Sequence, residues 1–247
     1  MILLTLNSDK RNYGFSYDFT TYFQPNLQFD TDCEIALHSL QMWNSLPNIS
    51  VSRNNNTFRF YNGASWSSNL TIPTGNYSID DLNLAIQTLI TSNGGIGTNV
   101  VISPNYNTLK SDIQLKNSYR LDLSIGSLNV VLGWAQAIVS VSGSGTELVD
   151  ISNDITSYQI HCSIVDGSTS ISNGSSSDVI YSFSPDKPSG NMLNNEIINL
   201  IYVKCNSYYI SSMRIYITDQ KQNLLTDLSN ENISITMVIK DPSLPTR

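Results

Sequence analysis

Few side chains in this 247-residue chain can do acid–base, nucleophilic or metal chemistry. The chain has two histidines, His38 and His161, and three cysteines, Cys33, Cys162 and Cys205. His161 and Cys162 are consecutive in an alternating segment, so in a strand their side chains point to opposite faces and cannot pair locally. The odd number and wide spacing of the cysteines indicate neither a disulfide framework nor a zinc module.

Other catalytic motifs also lack the context that their chemistry needs. Asp80 and Asp81 are adjacent carboxylates, but they lie at the start of a predicted helix, where the helix dipole explains them. The Gly-Ser-Gly segment at 143–145 lies in a Ser/Gly-rich loop and is not the strand–turn–helix of a nucleophile elbow. The glycines at 94–97 follow a helix, whereas a phosphate loop opens one. We therefore predict no catalytic residue, no cofactor and no metal site.

Composition restricts the possible partners. Charged residues make up 13% of the chain, and the formal net charge is −7. The 13 lysines and arginines are spread along the chain, whereas nucleic-acid binding needs clustered positive charge, so no direct nucleic-acid contact is predicted. No apolar run approaches the roughly 20 residues of a membrane span. Hydrophobic residues make up 40% of the chain, enough for a full core.

Alternation with period two is the dominant pattern, and it predicts many short strands. In the clearest case, Met213, Ile215 and Ile217 share one face, while Arg214 and Tyr216 share the other. A matching run at 233–240 has its own apolar face, so the two segments predict an antiparallel pair with one face in a core. The predicted fold class is all-β, an antiparallel β-sandwich with one or two short inserted helices.

Two segments have helical periodicity instead. The helix near 78–91 has Ser78 as N-cap and an apolar stripe that includes Leu82, and we expect it to close one open end of the sandwich. A shorter helix is predicted near 127–133. No linker separates two composition classes, so residues 1–32 are predicted to form an N-terminal strand or arm and residues 33–247 one domain.

Six segments in order resemble the penton, or minor capsid, proteins of the Polinton/Maverick, adintovirus and virophage lineage. The resemblance covers roughly residues 33–240 and includes an I-P-x-G-x-Y entry to a helix and a V-I-Y-S-F strand. The segments are 33–50, 72–83, 103–111 followed by 126–134, 161–168, 178–185 and 217–225. The last differs from the family pattern, because Asn223 stands where glycine is preferred; since Asn tolerates a positive φ, we expect the turn to form.

The resemblance implies a single jelly roll that forms homopentamers at the fivefold vertices of an icosahedral capsid. It further implies contact with a trimeric double-jelly-roll major capsid protein, synthesis inside a host cell and a final location in the virion. Pentamerisation would need side-to-side contacts between identical subunits.

The candidate interface or outward-facing residues are aromatic or cationic, namely Tyr61, Trp66, Arg214 and Tyr216. An alternative function is a glycan- or receptor-binding β-sandwich module. In that case Trp66 and Tyr61 would form a platform for a sugar.

Overall fold

The computed structural model describes residues 1–30, 32–135, 138–151, 155–167, 171–172, 175–187, 190–228 and 231–242. Ser168, which ends one of the penton-like segments, and residues 243–247, which end the predicted domain, lie outside this part of the chain.

The described residues form β-strands, two α-helices and two short 3₁₀ helices. The helices are α1 (Ile79–Ser92) and α2 (Leu128–Val131), with 3₁₀ turns at Ser8–Lys10 and Gly97–Asn99. The strands are β1 (Ile2–Asn7), β2 (Tyr13–Phe15), β3 (Asp18–Gln28), β4 (Glu34–Trp43), β5 (Thr57–Tyr61), β6 (Leu70–Thr71), β7 (Val100–Asn105), β8 (Lys110–Leu115), β9 (Arg120–Asp122), β10 (Ile138–Val139), β11 (Gly143–Ser144), β12 (Tyr158–Cys162), β13 (Ile171–Ser172), β14 (Ser175–Ser176), β15 (Val179–Phe183), β16 (Met192–Glu196), β17 (Val203–Lys204), β18 (Tyr209–Asp219) and β19 (Ser234–Lys240).

The chain divides into two compact units. Unit 1 takes in Met1–Leu46 and Ile155–Arg247, and unit 2 takes in Pro47–Asp154. This differs from the single domain expected over residues 33–247. The physical reason is that each unit buries its own apolar cluster, and the chain leaves unit 1 and returns to it around the 47–154 segment.

Unit 1 contains two five-stranded antiparallel sheets and the short antiparallel pair β13-β14. In the first sheet the order is β1-β19-β4-β16, with β17 also paired to β4. In the second sheet the order is β15-β12-β18-β3-β2. The inner faces of both sheets contribute to one hydrophobic cluster, in which Ile35 and Met237 come from the first sheet and Ile160 and Ile215 from the second. The predicted antiparallel sandwich is thus confirmed in unit 1.

Three strands of the N-terminal segment, β1, β2 and β3, belong to the sheets of this sandwich. β1 pairs with β19 along its whole length, from Ile2 opposite Ile239 to Asn7 opposite Ser234. β2 and β3 complete the other edge of the second sheet. β3 is one of the two longest strands of the described residues.

Unit 2 has two smaller antiparallel sheets, β10-β9-β5-β6 and β11-β8-β7, and both helices. Phe58 and Phe60 of β5 alternate with half-buried neighbours and point into its core. Helix α1 contributes a buried stripe to the same core, consisting of Ile79, Leu82, Ile86 and Ile90. The helix is therefore part of the core of unit 2, not the expected cover over one end of the sandwich.

Helix α1 begins as predicted. The Ser78 hydroxyl accepts a hydrogen bond from Asp81 N at 3.1 Å, and the Asp81 carboxylate accepts one from Ser78 N at 3.2 Å, which is a complete capping box. Two polar side chains then fix the helix to β7: Asn83 accepts from Ile102 N, and Gln87 donates to the Val100 carbonyl, each at 2.8 Å.

The turn after β18 forms, although glycine is absent from it. Asp219 organises this turn, because its carboxylate accepts hydrogen bonds from the backbone N–H groups of Lys221 and Asn223, both at 2.8 Å. The residue with positive φ is Gln222, at 67°, and not Asn223, for which the sequence predicts that conformation. The Asp219 carboxylate can hold the turn without the conformational freedom of glycine.

Candidate interaction surfaces

The outer face of the second sheet has a polar cluster built from two neighbouring strands. His161 of β12 lies directly opposite Tyr216 of β18, so both side chains project from the same face. Their rings stack with centroids 4.3 Å apart and planes within 12° of parallel. The stack places the imidazole beside the strand that precedes the turn at Asp219.

Asp178, just before β15, connects these two rings. Its carboxylate lies 2.6 Å from His161 Nδ1 and accepts a hydrogen bond from the Tyr216 hydroxyl at 2.9 Å. On the other side of the imidazole, Nε2 lies 2.9 Å from the Thr218 hydroxyl, which donates to the Asp219 carbonyl at 3.1 Å. We call His161, Asp178, Tyr216 and Thr218 the Asp178 network.

The electrostatics of the network favour an ionised carboxylate. Burial alone would raise the pKa of Asp178, but the hydrogen bonds from His161 and Tyr216 outweigh burial and hold that pKa below its ordinary value. Burial and the hydrogen bond to Asp178 both raise the pKa of the Tyr216 hydroxyl. Tyr216 therefore remains a protonated donor, and Asp178 remains an acceptor, at neutral pH.

An Asp–His–Thr series has the order of a catalytic triad, but this one is closed to substrate. His161 is 1% exposed and Thr218 is 2% exposed. Both imidazole nitrogens have protein partners, and the Thr218 hydroxyl proton is directed at the Asp219 carbonyl. A nucleophile needs room for a reacting carbonyl about 3 Å from its oxygen. The arrangement is suited to fixing the strands to one another.

Arg214 extends the network toward solvent. It donates to both carboxylate oxygens of Asp18 on β3, at 2.7 Å each, and its guanidinium lies 4.7 Å from the centre of the Tyr216 ring. The hydrogen bonds to Asp18 are the main reason that the pKa of Arg214 is raised. The Arg214 side chain is half-exposed, so this planar cation is available at the surface.

Aromatic side chains continue the same face to the edge of the sheet. Tyr13 and Phe15 of β2 lie opposite Thr20 and Asp18 of β3, and both rings are exposed. Tyr22 of β3 projects from this face as well and is also exposed. We define the outer aromatic face as Tyr13, Phe15, Tyr22, Arg214 and Tyr216. Exposed aromatic rings next to an arginine are the side chains that protein interfaces favour.

Unit 2 has a second group of this kind. Tyr61, at the end of β5, and Trp66, just past the following turn, form an isolated bridge, and their ring centroids are 5.5 Å apart. The Arg59 guanidinium lies 5.0 Å from the Trp66 ring centre, and the Arg120 guanidinium lies 5.3 Å from that of Tyr61. We call these four residues the aromatic–arginine stack.

The buried carboxylate of Asp122 holds one member of this stack, Arg59, in place. It lies opposite Arg59 in the β5–β9 ladder and is fully buried. Its carboxylate accepts hydrogen bonds from Arg59 Nε at 2.8 Å, from Ser124 N at 2.9 Å and from the Ser124 hydroxyl at 2.5 Å. Burial would raise the pKa of Asp122, but the bonds from Ser124 and Arg59 lower it overall. The carboxylate therefore fixes Arg59 over Trp66.

The four sequence-predicted residues thus fall into two pairs. Tyr61 contacts Trp66 in unit 2, and Arg214 contacts Tyr216 in unit 1. Sequence reasoning missed Arg59, although it lies two residues before Tyr61 and so shares its face of β5.

His161 and Asp178 were also missed as a pair, because nothing in their local sequence indicates that Asp178 folds onto the strand. His38, by contrast, lies on β4 in the first sheet and takes no part in the network.

Within the described part of the chain, no three His, Cys, Asp or Glu side chains are grouped closely enough to hold a metal ion. No helix found there is long and apolar enough to cross a membrane.

The fold and its surfaces define a class of protein: an antiparallel jelly-roll sandwich with an inserted unit of helices and antiparallel sheets, and with aromatic and cationic side chains on exposed sheet faces. No protein-family model matches the chain, and no curated protein matches its sequence.

Among solved structures, the chain is similar to the crystal structure of the penton protein of mavirus. The alignment covers 97% of this chain and 99% of that one, with a TM-score of 0.51 and 12% sequence identity. The resemblance to virophage penton proteins, predicted from the sequence, is thereby confirmed at the level of the fold.

Proposed function

We propose that this chain is a structural capsid protein of the penton type, which forms homopentamers at the fivefold vertices of an icosahedral shell. The observation that carries the proposal is the fold shared with the mavirus penton protein over nearly the whole length of both chains. The order of the penton-like sequence segments supports the same function independently. The protein would be made inside a host cell and would act in the virion, beside a trimeric double-jelly-roll major capsid protein.

The outer aromatic face is our candidate for the contact between subunits. A ring of identical subunits needs two different patches that fit each other. This face supplies one of them, with exposed aromatic rings and a cation that is held in place by Asp18. Because the charges of Arg214 and Asp18 already compensate each other, burial of this face would leave no isolated charge.

The role requires no catalysis, and we infer that the protein is not an enzyme. The one Asp–His–hydroxyl series in the described residues is buried and closed to substrate. Its hydrogen bonds connect β12, β18 and the start of β15, which gives a fixed outer surface for assembly.

Native mass spectrometry or mass photometry of the purified chain tests the proposal. We expect a species of five times the 27.4 kDa chain mass, whose fraction rises with protein concentration. A strictly monomeric protein at every concentration, both alone and in the presence of capsid proteins from the same source, would contradict the proposal.

A glycan- or receptor-binding module is the second candidate, and the contact between Tyr61 and Trp66 favours it. Aromatic rings held at an angle and backed by arginines can accept the apolar face of a sugar. Saturable binding on a glycan array that is lost in Trp66→Ala and kept in Trp43→Ala would support this function. Trp43, an exposed tryptophan of unit 1, is the matched control. An array without saturable binding would leave the aromatic–arginine stack as a structural feature or an assembly contact.

A further inference from the structure

Two of the three cysteines come together in unit 1, at the point where β17 joins β4. Val203 lies opposite Ile35, and Lys204 lies opposite Glu34. The next step of this register brings Cys205 opposite Cys33. The Cys205 N–H donates to the Cys33 carbonyl at 3.0 Å, so the ladder continues to this pair. Residues so far apart in the chain give no sign of their proximity, so the sequence alone predicts no disulfide framework.

The backbone pairing of Cys33 with Cys205 is compatible with a disulfide. Hydrogen-bonded partners on antiparallel strands have Cα atoms about 5.5 Å apart, within the usual 4.4–6.8 Å range for disulfides. As opposite residues of one ladder, the two cysteines project their side chains from the same face. We therefore expect rotation of the two side chains, without a shift of either strand, to bring the sulfur atoms together.

The surroundings distinguish this pair from the remaining cysteine. Cys33 is buried in the core, but Cys205 is partly exposed, so a small oxidant can reach one member of the pair. Cys162 is fully buried on β12 of the second sheet. Full burial keeps a small-molecule oxidant away from the Cys162 sulfur.

We propose that Cys33 and Cys205 form a redox-sensitive disulfide that fixes β17 to the beginning of β4. The oxidant is a small-molecule disulfide of the glutathione type. The Cys205 thiolate attacks it and forms a mixed disulfide, releasing one reduced glutathione. The Cys33 thiolate then attacks the Cys205 sulfur, the Cys33–Cys205 bond forms, and the second reduced glutathione leaves.

The proposed disulfide would make the inserted unit part of a covalently closed loop of the chain. The bond would enclose the whole of Pro47–Asp154 within one loop of the chain. Without this bond, β17 contributes only two residues to the ladder and depends on backbone hydrogen bonds. Such a pair remains reduced in a reducing cell interior and can become oxidised outside it. The proposal is independent of the capsid function.

The test treats the full chain with oxidised glutathione, with reduced glutathione in a parallel sample. We expect two of the three thiols to be lost on titration in denaturant, a mass lower by about two hydrogens, and a Cys33–Cys205 peptide on mapping. Oxidation should raise the Tm by roughly 5–15 °C. Because burial raises the pKa of both thiols, the rate should increase steeply with pH.

Two variants complete the experiment. Cys205→Ser should abolish the mass change and the Tm shift, whereas Cys162→Ala should keep both. Three outcomes would overturn the proposal: three thiols that survive the oxidant, a cross-link that contains Cys162, or a stable glutathione adduct on Cys205 with Cys33 still free. Peptide mapping of the wild-type chain decides among these even if a variant folds poorly.

Discussion

His161 Nδ1 lies 2.6 Å from a carboxylate oxygen of Asp178, and this contact joins β12 to the segment that leads into β15. An ionised carboxylate can only accept hydrogen bonds, so Nδ1 donates and the imidazole is held in one orientation. The Tyr216 hydroxyl gives the same carboxylate a second donor. A side chain on the outer face of a sandwich is thereby fully buried and satisfied.

The first prediction concerns the charge of Asp178. Asp178→Asn keeps the shape of the side chain but removes two charge-assisted hydrogen bonds, so the free energy of unfolding should fall by about 1–2 kcal/mol. Chemical denaturation measures this change. Asp186→Asn is the control, since Asp186 is largely exposed and its carboxylate lies 3.8 Å from the ammonium group of Lys187. Equal stability of Asp178→Asn and the wild type would show that the network contributes nothing.

The contact between His161 and Asp178 also predicts how the stability of the protein depends on pH. Because the pKa of Asp178 is lowered in the folded protein, its contribution is complete above the unfolded pKa of about 4 and is lost as pH falls through the folded pKa. The stability difference between the wild type and Asp178→Asn should therefore be constant near neutral pH and shrink below about pH 4. A difference that grows on acidification would have the wrong sign.

A third prediction distinguishes a role of Arg214 in subunit contact from a role in the stability of the fold. Its ion pair with Asp18 is half-exposed, so Arg214→Ala should change the free energy of unfolding by less than about 1 kcal/mol. If the outer aromatic face forms the subunit contact, the same substitution should weaken pentamer formation by about tenfold or more. Lys187→Ala, at another exposed cation, should leave assembly intact. Unchanged pentamers in Arg214→Ala would exclude this face as the contact.

Strands and helix α1 could be predicted because each follows a local rule. Period two assigned Met213, Ile215 and Ile217 to the core, and all three are buried there. The Ser78 cap and the apolar stripe through Leu82 located α1. Local patterns identify which face of an element is apolar, but not which core covers it. For this reason the separate core of unit 2 was not predicted.

In the candidate sites too, contacts between residues close in sequence could be predicted, whereas contacts that depend on long-range strand pairing could not. Tyr61 and Trp66 are five residues apart around a turn, so their contact was within reach of sequence reasoning. Arg214 and Asp18 are separated by 196 residues, and only the pairing of β18 with β3 brings them together. The pairing of Cys33 with Cys205 depends in the same way on the register of β4 with β17.

A fourth prediction tests the packing of α1. Leu82 is 1% exposed in the core of unit 2, whereas Leu84, on the same helix, is 64% exposed. Leu82→Asp buries an unpaired carboxylate and removes apolar contacts, so it should destabilise unit 2 by about 3–5 kcal/mol. Leu84→Asp should cost well under 1 kcal/mol. Hydrogen exchange of the α1 amides checks both, and equal protection in the two variants would mean that the helix does not pack as described.

The last prediction concerns Asp122, which is fully buried in unit 2. Asp122→Ala removes the acceptor for Arg59 and for the Ser124 hydroxyl, so the Arg59 guanidinium loses the contact that fixes it over Trp66. Unfolding of unit 2 should become easier by about 2–4 kcal/mol.

Tryptophan fluorescence should report the released ring, and Asp80→Ala, at an exposed carboxylate in the first turn of α1, is the control in the same unit. Its cost should remain below about 1 kcal/mol, because only the interaction with the helix dipole is lost. If Asp122→Ala is no more destabilising than this control, the carboxylate does not hold the aromatic–arginine stack together.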